Sequence, residues 1–502
     1  MLTRSTLAIL SLAALSACQT APAPRVAVPP ATPANAVAAP APKPQSVIAA
    51  PHLPNPDHAY AVVVSAATYA DPAWKPVADT LVAKYHGNLI IAPKDFTDAK
   101  AQLAAQLASQ NLNYVCFVAQ PGEAPRKVVT DLNRMMRQLD ADPYTDAIWG
   151  IVSGYDATDA LRIARISKPL IIQTGGSGMG KGAVEKLPNG FAAYEGDKNK
   201  MTRWVDGKME EVATTPNNTK ALVDGLNTMA PDFWCTSAHA SEKSWQVKYN
   251  DDTGGYFVCK DGQLFGLVNI TSGPAYEIHS PNPKVYIAAG NCLIGNIPEK
   301  NCMAAAYIHC AGVTQMVGYT EETWFGYMGW GTLDSFNTGH YDCAEALFLN
   351  QQALLWHLLT EHPEVANVNY NQDEPQGENK IPRLANAKET QNLAGLLYDR
   401  DGVVLLGDPA WEARMPKDVT NYTETFTTEP DGTVTYTLTT TADGQWANRP
   451  VFAWLPQHVK EIKLLEGEDL KPVLTDNFLM FNMTGDFKKG RIITIKYTGK
   501  PL

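Results

Sequence analysis

At 502 residues the chain is longer than one hydrophobic core supports, so two or more folded units are expected. Hydrophobic residues at 45% and charged residues at 19% describe a globular protein. A formal net charge of -11 argues against nucleic-acid binding, which calls for a basic face.

The N-terminus reads as a targeting segment, residues 1–17. Arg4 supplies positive charge, and Leu7 to Leu15 is an apolar run too short to span a bilayer as a mature helix. The run leads into Leu15-Ser16-Ala17-Cys18, which resembles the lipobox of bacterial lipoproteins. That resemblance implies cleavage before Cys18, a lipid on Cys18 and attachment to a membrane through it. An ordinary signal peptide with a chance cysteine is the other reading, and either one predicts export. Gln19 stands where an Asp is the usual inner-membrane retention signal, so the sorting rule implies the outer membrane of a Gram-negative host. Residues 18–56, dominated by Ala and Pro, are expected to form an extended, semi-stiff tether.

Residues 57–167 are expected to form an α/β subdomain. Tyr60–Ser65, Asn88–Ala92, Tyr114–Val118 and Ala147–Val152 are apolar runs of strand length. Between them lie helical spacings: Val77, Leu81 and Tyr85; Leu103 and Leu107; Val128, Leu132, Met135, Met136 and Leu139. A further helix starts near Asp156, and the alternation indicates a parallel sheet.

Residues 168–417 continue the α/β pattern after a stretch, about 168–215, that reads as an insertion or inter-lobe segment. A helix at Thr219–Met229 leads to the strand 233–238. Residues 255–268 make a small β excursion, and Lys284–Gly290 is a second central strand. A helix near 303–309 and a strand at 312–318 follow, then a loop dense in Trp, Gly and Tyr, a helix from Asp342 to Glu361 and the closing run Gly402–Pro409. From 418 to 502 alternating runs such as Thr433–Thr439 and Arg491–Tyr497 predict a small antiparallel β-sandwich.

Cys116, Cys235, Cys259, Cys302, Cys310 and Cys343 allow many disulfide pairings, and buried free thiols are expected at Cys116 and Cys235. Cys302, His309, Cys310 and Cys343 lack the paired short spacings of a zinc site, so no metal and no cofactor are expected. Gly175 to Lys181 nearly spells a phosphate-binding loop, but Gly182 replaces the Ser or Thr that meets magnesium, and the stretch reads as a flexible glycine loop. Asp334, Glu321, Asp197 and Glu195 read as solvated surface.

Two stretches carry candidate chemistry: Thr236-Ser-Ala-His-Ala-Ser-Glu242 and Ala289-Gly-Asn-Cys292. Both follow strands, where a parallel sheet places active residues. A thiol nucleophile needs a base or cation beside it, a leaving amine needs a proton donor, and one imidazole serves both. Taken alone, a cysteine after an apolar strand is more often inert packing and a lone histidine more often a hydrogen-bonded structural residue. His239-Ala-Ser-Glu-Lys-Ser-Trp245 is similar to the His-Gly-Ser-Glu-x-x-Trp element of gingipain-type cysteine peptidases of the caspase-like clan. Cys292-Leu-Ile-Gly-Asn296, the 312–320 strand with Glu322-Thr-Trp324, Asp142 to Gly150 and Leu406-Gly-Asp-Pro409 resemble further islands of that family, in its order. The resemblance implies a two-lobed caspase-like α/β domain followed by an immunoglobulin-like sandwich. It implies a Cys292 nucleophile, a His239 acid, backbone oxyanion donors at Ala240 and Cys292, Trp324 in the substrate pocket and a protein or peptide substrate. One departure is Ala240, where the family has Gly; positive φ there would be costly and would misaim the N–H. The departure and the large insertion between the lobes together motivate an alternative, a non-catalytic binding lipoprotein on the same scaffold.

Overall fold

The computed structural model describes residues 60–98, 100–193, 199–214, 217–247, 255–323, 327–370, 387–429, 431–446 and 449–502, with backbone alone at 387–391. Cys18, the signal segment and the tether lie outside the described residues, as do Trp324, Asp197 and Glu195. No helix among the described residues is long and apolar enough to cross a membrane.

The Val-rich run Tyr60–Ser65 is buried at every position, as an interior strand covered on both faces must be. It pairs in parallel with Asn88–Ala92 on one side and Tyr114–Val118 on the other. Ile148–Val152 extends this parallel half-sheet. A second half is built from Val313–Tyr319, Lys284–Gly290, Phe233–Ser237, Thr174–Ser177 and Asn189–Ala192, again in parallel. Between the halves lies Val403–Leu406, antiparallel to Val313–Tyr319 and parallel to Ile148–Val152. The expected two lobes are thus fused edge to edge into one twelve-stranded sheet. Gly150 permits the join, because a Cβ there would lie 2.7 Å from the Gly407 carbonyl oxygen.

Asp408 of the closing run explains that island physically. Its buried carboxylate accepts hydrogen bonds from Tyr60 (2.9 Å), Lys84 (2.8 Å) and Tyr85 (2.7 Å), tying the run to the first strand and the helix Lys75–Tyr85. Asp401, two residues ahead of the strand Val403–Leu406, anchors the run's other end by accepting from Arg134 (2.9 Å), Arg137 (2.6 Å) and Arg400 (2.7 Å).

Several expectations are corrected. The stretch expected as an aperiodic insertion or inter-lobe segment is regular in structure: Thr174–Ser177, Asn189–Ala192, Lys200–Val205 and Lys208–Ala213 complete one end of the large sheet. The glycine run is a loop only from Gly178 on, since Gly175 and Gly176 sit in a strand, against Val184 and Leu187 and against Phe191 and Trp234. The stretch expected as a Trp, Gly and Tyr loop contains the helix Tyr327–Phe336, whose Gly329 meets the Ala289 backbone and whose Gly331 meets Asn350. The helix Ala387–Gly402 has no counterpart among the expected elements. Glu321 is 4% exposed, whereas Asp334 is exposed and pairs with Arg449.

Among the described residues the C-terminal region folds as two larger antiparallel sheets, one of Tyr422–Thr428, Thr433–Thr440, Ile492–Pro501 and Val459–Glu466, the other of Val451–Trp454, Phe478–Phe481 and Val473–Leu474, with a two-stranded pair of Gly444–Gln445 and Asp486–Phe487 beside them. Tyr436, Leu438 and Ile495 of the first share a core with Leu479 and Phe481 of the second. The unit rests on the helix Cys343–Glu361, where Phe348 packs on Phe452, Trp454 and Phe478. His340 bridges Asp418 (2.7 Å) and Glu424 (2.8 Å) at the same junction.

Candidate active site

The strands Phe233–Ser237 and Lys284–Gly290 are parallel neighbours, with Ser237 opposite Gly290. Beyond their ends, the fully buried Asn291 donates from Nδ2 to the Ala238 carbonyl oxygen at 2.9 Å. Its Oδ1 accepts from the Thr236 hydroxyl at 2.7 Å, and Tyr286 lies 2.7 Å from that same hydroxyl. His239 and Cys292 are the residues that follow this hydrogen-bonded pair, so the register brings the two candidate side chains to adjoining strand ends.

The histidine loop is stapled at several points. Gln246 N–H donates to the His239 carbonyl oxygen (2.8 Å) and Ser241 N–H to that of Ser244 (2.8 Å). These two bonds flank the antiparallel pair Ala240 and Trp245, which is therefore a non-hydrogen-bonded pair, and the bridge does not use the Ala240 N–H. Trp245 is buried edge to face on Trp234 and Phe257, and its indole donates to the Ser237 carbonyl oxygen at 3.1 Å. Glu242 accepts from Asn296 Nδ2 at 3.1 Å, joining the histidine motif to the turn after Cys292. Positive φ falls on Ala238 (118°) and Leu293 (59°), while Ala240 is held in an extended pair that accommodates a Cβ.

Cys292 is 9% exposed, and its sulfur lies 3.4 Å from the Thr323 N–H. Leu293 N–H donates to the Glu321 carbonyl oxygen (3.1 Å), and Gly295 backs directly onto Gly318. The Glu321 carboxyl, 3.6 Å from Arg126, is pushed up to about 7 by burial, against the opposing pull of Arg126. His239 is exposed. All seven described cysteines are free thiols, with Cys116 and Cys235 buried. Sequence reasoning gives no role to Thr236, Asn291 or Asn296; polar residues closing apolar strands are the available signal.

No family model matches the chain, and no curated protein matches it. Among solved structures the chain is similar to the Arg-specific cysteine proteinase gingipain R, at 12% identity and a TM-score of 0.43, over 85% of this chain and 91% of that one.

Proposed function

We propose that the protein is an exported, lipid-anchored cysteine endopeptidase, a caspase-like α/β domain carrying an immunoglobulin-like sandwich. The observation that supports this reading is the Asn291 bridge, which sets His239 and Cys292 at adjoining ends of parallel strands. The Cys292 sulfur attacks the scissile carbonyl, His239 protonates the leaving amine, and water then hydrolyses the thioester. The N–H groups of Ala240 and Cys292 receive the oxyanion, each contributing on the order of 2.7–4 kcal/mol. The substrate is a protein or peptide outside the cytoplasm.

The extended pairing of Ala240, with no positive φ at that position, supports the catalytic reading over the non-catalytic one. A thiol-directed peptide probe is expected to label the protein, and Cys292→Ala to abolish labelling; equal labelling of that variant overturns the nucleophile. His239→Ala is expected to suppress turnover while the thiol still alkylates. Radiolabelled fatty acid is expected to enter the chain and to be lost in Cys18→Ser; incorporation in that variant overturns the anchor.

A further inference from the structure

We infer that the end of the helix Cys343–Glu361 carries a zinc site formed by His357, Glu361 and His362. His357 and Glu361 are one turn apart on the same face. His362 caps the helix, its N–H donating to the Leu358 carbonyl oxygen at 3.0 Å. One ligand atom from each of the three lies within 4.8 Å of the others, and His357 Nδ1 is 3.3 Å from Glu361 Oε1. Ligands about 2.0–2.1 Å from a tetrahedral zinc stand roughly 3.3–3.4 Å apart, so small side-chain adjustments close the set.

The surroundings favour a cation. The last turn of the helix holds no basic residue, so the partial negative charge at its carbonyl end faces no cationic side chain within that turn. Tyr327 stacks on the His357 ring at 6.3 Å, and the two imidazoles pack edge to face at 5.4 Å, which restrains both rings. Two histidines and a carboxylate leave the fourth position of zinc for water. His357 also borders a cavity of about 300 Å³ whose wall includes Arg449 and Met480.

The test is a titration of the full chain, carrying Cys292→Ser to remove the candidate nucleophile, with zinc alone against a chromogenic chelator. One zinc per chain is expected, with affinity falling at least tenfold in His357→Gln, in His362→Gln and in the surface variant Glu361→Gln. His340→Gln, which alters a separate histidine between two carboxylates, is expected to leave binding unchanged. Substoichiometric binding, or unchanged affinity in all three ligand variants, overturns the site. Cobalt in place of zinc is expected to give visible bands without a thiolate charge-transfer band; such a band assigns the metal to cysteine and also overturns it.

Discussion

Replacing Asn291 with Ala tests how the two candidate residues are held together. The substitution removes the 2.9 Å bond to the Ala238 carbonyl oxygen and the 2.7 Å bond from Thr236 in a fully buried setting. An orphaned buried polar group costs about 1–3 kcal/mol, and the missing amide leaves a small void besides. Thr236 keeps Tyr286 as a partner, so one full penalty and part of another are expected, about 2–4 kcal/mol in total. The freed carbonyl belongs to Ala238, whose φ of 118° is maintained by its surroundings, so the loop relaxes and His239 moves with it. Urea unfolding of Asn291→Ala should show that loss, and reaction with the peptide probe should slow at least tenfold while iodoacetamide still alkylates Cys292. A loss below about 0.5 kcal/mol with an unchanged probe rate would refute the bridge.

Ala238→Gly relieves backbone strain of about 1–3 kcal/mol and costs about 0.5–1 kcal/mol in chain entropy, so a modest rise in thermal midpoint is expected; a fall contradicts the strain. Asp401→Asn removes the carboxylate partner of the buried Arg134 and Arg400 and the partly buried Arg137 and should destabilise by about 3–5 kcal/mol. Against the upward push of burial, those arginines hold the Asp401 carboxyl well below the usual range, so its contribution is present above the unfolded carboxylate pKa and lost on strong acidification. Denaturant titrations across acidic pH should find the acid limb shallower in Asp401→Asn. Asp146 has the opposite sign: burial, then Asp140 and Asp142, push it up to about 9, so it favours folding most in acid and progressively less as pH rises toward 9. Thermal melts should show Asp146→Asn gaining on the parent protein between about pH 5 and pH 8; a constant difference removes Asp146 as the source.

Much of the architecture is legible because buried strands write themselves as apolar runs. Tyr60–Ser65, Lys284–Gly290 and the helix Thr219–Met229 coincide with their expected bounds. The strands between 174 and 213 are hidden by glycines at tight packing positions and by charged residues on an exposed edge. The helix Tyr327–Phe336 is hidden because Gly329 and Gly331, which read as loop formers, serve close approach to a strand and to a neighbouring helix. At the candidate site, pattern alone places His239 and Cys292 at strand ends. It does not reveal the Asn291 bridge, because strand register decides which polar side chain meets which carbonyl.

The strand Val403–Leu406 has a consequence for how the chain reaches its fold. It occupies the middle of the large sheet although it is the last of the twelve strands to be synthesised. Until it arrives, Ile148–Val152 and Val313–Tyr319 each present an unpaired edge, and an unpaired edge invites pairing with another chain. Joining partners so distant in sequence is also slow, because loop closure precedes the contacts that reward it. A chain truncated ahead of residue 403 would therefore hold two half-sheets with open inner edges, a species prone to self-association.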